Sequence, residues 1–386
     1  MDNMPKRAIR IAVFSVSAGS GHVRAAQALI ASAGLWFPEV EVIHVDMMDL
    51  VPKLFRTIYT ETYIKLIEQH PAVWSYLFNR TNTEKNNSYL SRIRRSIETI
   101  STRKLKCALK EIAPDHVICT HFLPAQLFSR RIEKGKYYKP VWVQITDFDA
   151  HTLWIHKWMN GYFVAHDELA WRISERGITF ENVHVTGIPI MPSFSEILCR
   201  RECSEELGLN PSVMTILLMS GGDGIGDSHK LAERLLLAGE GDFQIIALAG
   251  KNEKLLKKFT LLAERHPGKL FPLGFIHTVE RVMAASDFAI TKPGGLTSSE
   301  CLAMGLPMVV VSPIPGQEER NTDFLLEHGV AVKACDENAL IWRVNMLLRE
   351  PHRLKIMRDK ALMIGRHDSA RMVLDIVLGK LAGAHQ

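Results

Sequence analysis

The residue types best suited to chemistry are concentrated in the stretch 274–321. Within it, Gly294 and Gly295 follow an apolar, strand-like run and precede helix-like residues. A helix that begins at such a turn presents free N–H groups and a positive end, which can receive a phosphate or a diphosphate. Glu300, one turn further on, can accept two hydrogen bonds from a ribose diol. Glu300 can equally complete an N-terminal capping pattern whose cap is Thr297.

Two further glycine-rich turns follow strand-like runs, at 17–22 and at 220–226. Neither is a dinucleotide-binding or P-loop signature, because the third glycine of G-x-G-x-x-G is missing and no G-K-[ST] follows. Each turn is therefore either a tight connection from a strand to a helix or a ligand site. The first turn ends in His22, whose ordinary pKa of about 6.5 suits proton transfer at neutral pH, although a lone histidine at a turn is usually structural.

Strand-like and helix-like runs alternate along the chain, which is typical of α/β domains with mainly parallel sheets. The strands predicted in the first half are 9–15, 40–45, 116–120, 141–146, 161–164 and 182–185. Those predicted in the second half are 214–219, 243–249, 270–273, 288–291 and 308–311. Predicted helices include 23–32, 229–238, 252–265 and 278–285, and 351–386 is also helical in pattern. The pattern predicts two doubly wound halves with a boundary near 188–205, and such sheets bind ligands at the carboxyl ends of their strands.

The overall composition excludes several classes of protein. With 386 residues, 47% hydrophobic and 23% charged, the chain has globular composition and a length that suggests at least two domains. Its six cysteines are scattered without a C-x-x-C pair, so neither a zinc site nor a disulfide framework is indicated and a cytosolic, reducing compartment is expected. No apolar run approaches the roughly 18 to 20 residues that span a bilayer. Near the start, Arg10 interrupts the apolar run, so we interpret 9–15 as a strand rather than a signal peptide.

The basic residues are concentrated in one segment, 50–110, which we call the basic segment. It holds twelve Lys or Arg against four Glu, a net charge of +8 in a chain whose total is +5. Seven Phe, Tyr and Trp lie among them. This mixture is typical of a helix in a membrane interface, where each basic residue near an anionic surface contributes about 1 kcal/mol. We predict peripheral binding to anionic membrane lipids; a solvated helical insertion is the alternative, and nucleic acid is not expected because no nucleic-acid-binding motif is present.

Several motifs taken together resemble glycosyltransferase family 28. They are S-A-G-S-G-H at 17–22, T-D-F-D-A-H-T-L-W at 146–154, V-T-G-I-P at 185–189, K-P-G-G-L-T at 292–297 and P-G-Q-E at 315–318. The chain most resembles the monogalactosyldiacylglycerol synthases and the processive bacterial diacylglycerol glucosyltransferases, and the motifs follow the family's order over nearly the whole chain. The resemblance implies a GT-B fold, an α/β architecture in which two Rossmann-like, doubly wound domains face a cleft and the C-terminal helix crosses back.

The resemblance also implies how the activity is distributed. Residues 1–195 would bind the acceptor and carry the basic segment, 205–365 would bind a UDP-sugar, and 366–386 would form the helix that packs back on the first domain. The implied enzyme is a hexosyltransferase that moves galactose or glucose from UDP-galactose or UDP-glucose to diacylglycerol with inversion, in the cytoplasm, peripheral on the inner face of the cell membrane. No cofactor and no metal are expected, since the UDP-sugar is a substrate and this chemistry requires no D-x-D metal motif.

In the family's pattern, the donor is bound by residues of the second domain. The residues at the uracil would be Phe275 and Ile276. The residues near the phosphates would be Gly221, Gly222, Gly294, Gly295 and Thr297. Glu300 would bind the ribose, and the hydroxyl groups of the sugar or ribose would contact Gln317, Glu318 and Asn321.

Inverting transfer requires a base that takes the proton of the acceptor hydroxyl and donors that stabilise the departing diphosphate. His22 is the leading candidate for the base. Asp147 is the second, either as the base itself or as the residue that orients His22. Gly21, His121 and His151 are the candidate acceptor-binding residues. Local turn bonding is the alternative interpretation of Asp147 and His151.

Three other functions are compatible with the sequence. The same fold could transfer a sugar from UDP-GlcNAc to a polyprenyl-linked peptidoglycan precursor. A UDP-sugar 2-epimerase shares the two-domain architecture but acts on a soluble substrate, which leaves the basic segment without a purpose. A non-catalytic module that binds a nucleotide-sugar would bind UDP and show no turnover.

Overall fold

The computed structural model describes residues 8–17, 19–52, 56, 103–219 and 228–379. The chain divides into two compact units. Unit 1 consists of Met1–Pro192 together with Asp368–Gln386, and unit 2 consists of Ser193–His367. The chain therefore passes between the units twice, once near residue 192 and once near residue 367.

Unit 1 is built on a parallel sheet of six strands in the order β2-β1-β3-β4-β5-β6. The strands are β1 (Ile9–Ser15), β2 (Val40–Asp46), β3 (His116–Cys119), β4 (Val141–Gln144), β5 (Gly161–Val164) and β6 (Val183–Val185). Successive side chains of β1 alternate between two buried clusters, with Ile11 and Val13 in one and Ala12 and Phe14 in the other. Both faces of this strand are thus apolar, as expected for a parallel sheet covered by helices.

The helices of unit 1 that precede the crossing are α1 (Ser20–Trp36), α2 (Met47–Leu50), α3 (Phe122–Glu133) and α4 (Asp167–Ser174). A helical stretch at 103–112 and the short 3-10 turns Thr152–Trp154 and Phe180–Asn182 complete the described part. Direction along the sheet reverses at β1, because β2 lies on one side of it and β3 on the other. Such a reversal opens a crevice at the carboxyl ends of the central strands.

Unit 2 contains a second parallel sheet of six strands in the order β12-β11-β10-β7-β8-β9. The strands are β7 (Met214–Met219), β8 (Phe243–Leu248), β9 (Leu270–Leu273), β10 (Phe288–Thr291), β11 (Met308–Val311) and β12 (Ala331–Ala334). Counted from β7, this is the 3-2-1-4-5-6 order of the dinucleotide-binding fold, whose crevice opens where the first and fourth strands meet. Here these strands are β7 and β10.

The helices of unit 2 alternate with its strands. They are α5 (Arg200–Glu206), α6 (Ser228–Ala238), α7 (Glu253–Arg265), α8 (Val279–Ala284), α9 (Gly295–Ala303), α10 (Gln317–Glu327), α11 (Glu337–Arg349) and α12 (Pro351–Ile364), with a 3-10 turn at Pro192–Ser195. Phe259 of α7 and Phe288 of β10 are fully buried in the main core of this unit. The chain then returns to unit 1.

The last described helix, α13 (Ser369–Val377), belongs to unit 1. Its Val373 and Leu374 are fully buried in the same cluster as Leu29 of α1. The hydroxyl of Ser369 also accepts a hydrogen bond from the backbone N–H of Ile190. The first unit is therefore completed by the end of the chain.

The fold class expected from the sequence, an α/β architecture of two doubly wound domains with a returning helix, is confirmed. All eleven strands predicted from the pattern are present, most with bounds within one residue. The pattern missed β12, whose Ala-Val-Lys-Ala sequence carries too little β-branched or aromatic character to signal a strand. The carboxyl-terminal helical pattern is divided, because α12 ends before Gly365 and α13 begins at Ser369.

Most of the basic segment lies outside the described residues. Its described parts are 50–52, Arg56 and the helical stretch that starts at 103. No helix in the described part of the chain combines the length and the apolar composition needed to cross a bilayer.

Candidate active site

The carboxyl ends of β1, β3 and β4 bring three polar residues of unit 1 together. His22 lies in the first turn of α1, just after β1, while Thr120 follows β3 and Thr146 follows β4. These strands are neighbours, with Phe14 opposite Cys119 in the sheet. The parallel register therefore places the residue after each strand at the same edge.

His22 is held by hydrogen bonds on one side of its ring. Its Nδ1 atom lies 2.8 Å from the main-chain oxygen of Thr120 and 2.9 Å from Oγ1 of Thr146. A carbonyl oxygen can only accept, so Nδ1 carries the hydrogen and Nε2 carries the free lone pair. The hydroxyl of Thr120 in turn donates to the backbone oxygen of His22 at 3.0 Å, which fixes the helix start as well as the ring.

His121 packs against His22 with the opposite hydrogen-bonding pattern. The centroids of the two imidazole rings are 4.6 Å apart and their planes are nearly perpendicular. Nδ1 of His121 accepts a hydrogen bond from the backbone N–H of Leu123 at 3.0 Å, which caps the N-terminus of α3. Since Nδ1 is the acceptor, a neutral His121 carries its hydrogen on Nε2.

Both imidazoles are biased toward the neutral form. Desolvation lowers the pKa of His22 to about 4, a shift that the hydrogen bond to the Thr120 carbonyl partly opposes. Burial, followed by repulsion from His22, holds the pKa of His121 well below its ordinary value. A neutral His22 can accept a proton at physiological pH, as a general base must.

The other two polar candidates of unit 1, Asp147 and His151, lie in the loop that follows β4. Both are buried. Nδ1 of His151 accepts from the backbone N–H of Leu153 at 3.1 Å and caps the short turn Thr152–Trp154. His151 therefore makes the local turn bonding that was its alternative interpretation. Its role in binding the acceptor stays a prediction. The roles proposed for Asp147 also stay predictions. The ring of His22 is hydrogen-bonded to Thr120 and Thr146.

Side chains of α4 and of the residues that flank it hold this loop in place. Arg172 forms an ion pair with Asp149 at 3.0 Å, and Arg176 donates to the backbone oxygen of Ala150 at 2.8 Å. The N-cap of α4, His166, donates from Nε2 to the backbone oxygen of Phe148 at 2.8 Å. The segment 148–150 is thus held at three successive residues, through the backbone oxygens of Phe148 and Ala150 and the carboxylate of Asp149.

In unit 2, α9 begins shortly after the end of β10, as predicted from the pair Gly294 and Gly295. Gly294 is the N-cap and Gly295 the first helical residue. Thr297 is half-buried within the first turn, and Glu300 is buried one turn further on. The Thr297 side chain forms no capping bond, since the position before α9 is Gly294 rather than Thr297. The capping alternative, with Thr297 as the cap, is therefore wrong.

The turn before α9 is held by Asn321 of α10. The Asn321 amide nitrogen donates to the backbone oxygen of Pro293 at 3.0 Å, and Asn321 is fully buried. This contact gives Asn321 a part in positioning the turn. A direct contact of Asn321 with a sugar or ribose hydroxyl stays a prediction.

The P-G-Q-E turn at the start of α10 is closed by two carboxylates. Glu318 accepts from the backbone N–H of Ile314 at 2.7 Å, and Glu319 accepts from that of Gly316 at 2.8 Å. Gly316 has φ of 89°, a left-handed conformation that favours glycine. Gln317, the first residue of α10, is half-buried.

Phe275 follows β9 and is strongly exposed, with 52% of its surface accessible. Nζ of Lys251 lies over its ring, 5.1 Å from the centroid, and the His277 ring meets it edge-on at 5.0 Å. Ile276 is half-buried. An exposed aromatic ring supported by a cation offers a flat surface to a planar base.

Two predicted donor residues, Gly221 and Gly222, lie outside the described residues. Gly21 is described and half-buried beside His22. Among the described residues, no group of three or more His, Cys, Asp or Glu is arranged to hold a metal ion. The expectation that the reaction needs no metal stays a prediction.

The sequence reasoning missed Thr120 and Thr146 as partners of His22. The available signal was positional, because each threonine is the last residue of a predicted strand. Their hydrogen bonds depend on strand order and on a backbone carbonyl, neither of which a residue pattern reveals.

Two family models match the chain, one in each half. The model for monogalactosyldiacylglycerol (MGDG) synthase matches residues 22–190, and the model for the glycosyltransferase family 28 C-terminal domain matches residues 226–371. A processive diacylglycerol beta-glucosyltransferase from Bacillus pumilus is 28% identical over 375 residues, covering 95% of this chain and 94% of the relative.

Solved structures share the fold at low sequence identity. MurG from Acinetobacter baumannii is 16% identical with a TM-score of 0.58, covering 96% of this chain and 99% of that one. The UDP-GlcNAc 2-epimerase from Neisseria meningitidis, bound to UDP-GlcNAc, is 13% identical with a TM-score of 0.59, covering 96% and 100%. Two family matches that together cover most of the chain, and a relative that spans nearly all of it, place the protein in glycosyltransferase family 28, among the members whose first domain is of the MGDG synthase type.

Proposed function

We propose that the protein is an inverting hexosyltransferase that moves galactose or glucose from a UDP-sugar to diacylglycerol and forms a β-glycosyldiacylglycerol. The observation that carries the proposal is His22, a neutral imidazole with its hydrogen on Nδ1 and a free lone pair on Nε2. The diacylglycerol acceptor is supported by the name of the Bacillus pumilus relative, and the nucleotide-sugar donor by the family of the second domain.

In the proposed reaction, the acceptor hydroxyl gives its proton to Nε2 of His22. The hydroxyl oxygen bonds to the anomeric carbon of the sugar, and the bond from that carbon to the diphosphate oxygen breaks. The electron pair of the broken bond leaves with UDP. Thr120 and Thr146 keep the ring oriented while its charge changes, because both remain acceptors for Nδ1–H.

The departing diphosphate would be bound by α9. Its first backbone N–H groups have no partner within the helix, and the helix dipole favours negative charge at this end. Asn321 and the closed P-G-Q-E turn support this position from α10. The contacts of Glu300 with the ribose and of Gln317 and Glu318 with sugar hydroxyls complete the proposed donor site.

We extend the proposal to peripheral binding at the inner, cytoplasmic face of the cell membrane, with anionic lipids as partners. In the helical stretch 103–112, Leu105 is buried while four basic side chains are exposed: Arg103, Lys104, Lys106 and Lys110. Exposed cations beside an acceptor-binding domain favour an anionic surface. Diacylglycerol resides in such a surface.

The test is an assay of the purified protein on mixed micelles of diacylglycerol. Radiolabelled UDP-galactose and UDP-glucose are supplied separately, with and without anionic lipid. We expect label in a lipid product, with one donor preferred and a higher rate when anionic lipid is present. A β-linkage in the product, read from the anomeric proton coupling, checks the inversion.

Other outcomes point to other functions. If the protein binds UDP but labels no lipid, diacylglycerol is not the acceptor, and UDP-GlcNAc is then tested with a polyprenyl-linked acceptor and for 2-epimerisation. If UDP binding persists without any turnover, the protein is a nucleotide-sugar-binding module. Flotation with liposomes that is unaffected by anionic lipid contradicts the membrane proposal.

A further inference from the structure

We propose that His121 is an acceptor-orienting residue, whose Nε2–H donates a hydrogen bond to the same acceptor oxygen that gives its proton to His22. This inference rests on the proposed function and adds a second contact with the reacting hydroxyl. It starts from the opposite tautomers of two imidazoles whose centroids are 4.6 Å apart.

The Nε2 atoms of both rings are available for such a contact. In the described part of the chain, the hydrogen bonds of both rings are made through Nδ1. His22 as a whole is half-buried, so the residue retains some contact with solvent. His121 as a whole is only 4% exposed, so the remaining access is narrow.

The two free atoms are complementary to a single hydroxyl group. A hydroxyl has one hydrogen to donate and oxygen lone pairs that accept. His22 offers a lone pair on Nε2, and His121 offers a hydrogen on Nε2. In the transfer step the proton moves to His22, His121 keeps its own proton, and the acceptor oxygen gains its bond to the anomeric carbon as UDP leaves with the electron pair.

A capping role alone does not account for a histidine at position 121. The cap uses only Nδ1, and Asn, Asp or Ser provides an N-cap acceptor with a smaller side chain. What the imidazole adds is a donor on the far side of the ring. The ring is also fixed by aromatic neighbours, since its centroid lies 4.1 Å from that of Phe122 and 6.2 Å from that of Trp154.

Two variants separate the helix-capping role of His121 Nδ1 from the hydrogen-bond donor role of its Nε2–H. In His121→Asn the side-chain oxygen can replace Nδ1 as the cap, while the Nε2–H is lost. In His121→Gln the amide nitrogen can replace the Nε2 donor, while the cap is lost. Each variant is therefore the control for the other.

We expect His121→Asn to keep the Tm of the wild type and the KM for the UDP-sugar, and to lower kcat/KM for the acceptor about tenfold, the value of a lost hydrogen bond. His121→Gln should have a lower Tm and retain acceptor kcat/KM within about threefold, because the donor remains. If His121→Asn has wild-type kinetics, or if both variants lose activity in step with Tm, His121 is only a helix cap and the proposal is wrong.

A second measurement does not depend on turnover. Nitrogen-15 shifts of the imidazoles should show Nδ1–H for His22 and Nε2–H for His121 at neutral pH, and a short-chain diacylglycerol should shift both Nε2 resonances. The reverse tautomers, or no response of His121, overturn the inference. If the wild type glycosylates no diacylglycerol while both Nε2 resonances respond to it, the proposed function fails and the paired contact stands.

Discussion

The Nδ1 atom of His22 donates to the main-chain oxygen of Thr120, and this one bond determines which ring nitrogen can act as a base. A backbone carbonyl stays an acceptor at every pH and in every rotamer of its own side chain. The tautomer of His22 is therefore set by the position of β3 beside β1 rather than by a carboxylate. A search for an acidic partner in the sequence, which singled out Asp147, would overlook this arrangement.

Replacing Thr146 tests how much the second contact contributes. Thr146→Val removes the oxygen 2.9 Å from Nδ1 while keeping a similar volume, so the ring is held by the Thr120 carbonyl alone. We expect kcat to fall about fivefold to tenfold, as for loss of one hydrogen bond, with little change in the KM for the UDP-sugar. Thr146→Ser keeps the hydroxyl and should restore most of kcat. Equal rates for the valine and serine variants would show that Thr146 does not position His22.

The pH dependence of kcat/KM follows from the lowered pKa of His22. The base must be neutral, and a pKa of about 4 keeps it neutral at higher pH. We expect kcat/KM to be flat from pH 8 down to about pH 5 and to fall to half near pH 4, whereas an ordinary histidine would give half-activity near 6.5. Circular dichroism over the same range separates titration from unfolding. A midpoint near 6.5 in folded protein would contradict this account of His22.

Asn321 should act on donor binding through the turn before α9. In Asn321→Leu the backbone oxygen of Pro293 loses its buried partner, which costs about 1–3 kcal/mol of stability. We expect weaker UDP binding by calorimetry as well as a lower Tm. Thr322→Val is a matched control, because the Thr322 hydroxyl is also buried in α10 but bonds only within its own helix, to the Glu318 backbone oxygen. If the affinity for UDP falls equally in both variants, the loss comes from a general change in α10 and not from the contact between Asn321 and Pro293.

The returning helix should contribute strongly to the stability of unit 1. Leu374 is fully buried in the cluster that contains α1, so Leu374→Ala should lower the free energy of unfolding by about 2–5 kcal/mol. Arg371→Ala is the control, because Arg371 is exposed and contacts Trp36 and Asp375 at the surface, where such contacts contribute about 1 kcal/mol or less. Denaturant unfolding followed by circular dichroism measures both. A loss below 1 kcal/mol for Leu374→Ala would mean that α13 is not required for the fold.

The sequence predicts the fold more completely than it predicts the site. Strands such as β1 and β10 are short apolar runs bounded by turns, and their alternation with helices defines two doubly wound domains. The Gly294-Gly295 pair likewise predicts the start of α9. By contrast, the helix cap formed by His121 and the contact of Asn321 with Pro293 join residues whose proximity depends on the folded backbone. The family resemblance suggested ligand contacts for both residues and gave no sign of these two bonds.

The double passage of the chain between the units determines how the protein can be divided. Unit 2 is one continuous piece of sequence, Ser193–His367, and can be encoded as a single fragment. Unit 1 is discontinuous, so a fragment that stops before residue 368 would leave the apolar surface around Leu29 uncovered. An isolated unit 1 therefore has to be made by joining the segment that ends at Pro192 to the one that begins at Asp368 through a designed linker. Simple truncation would yield an aggregating product.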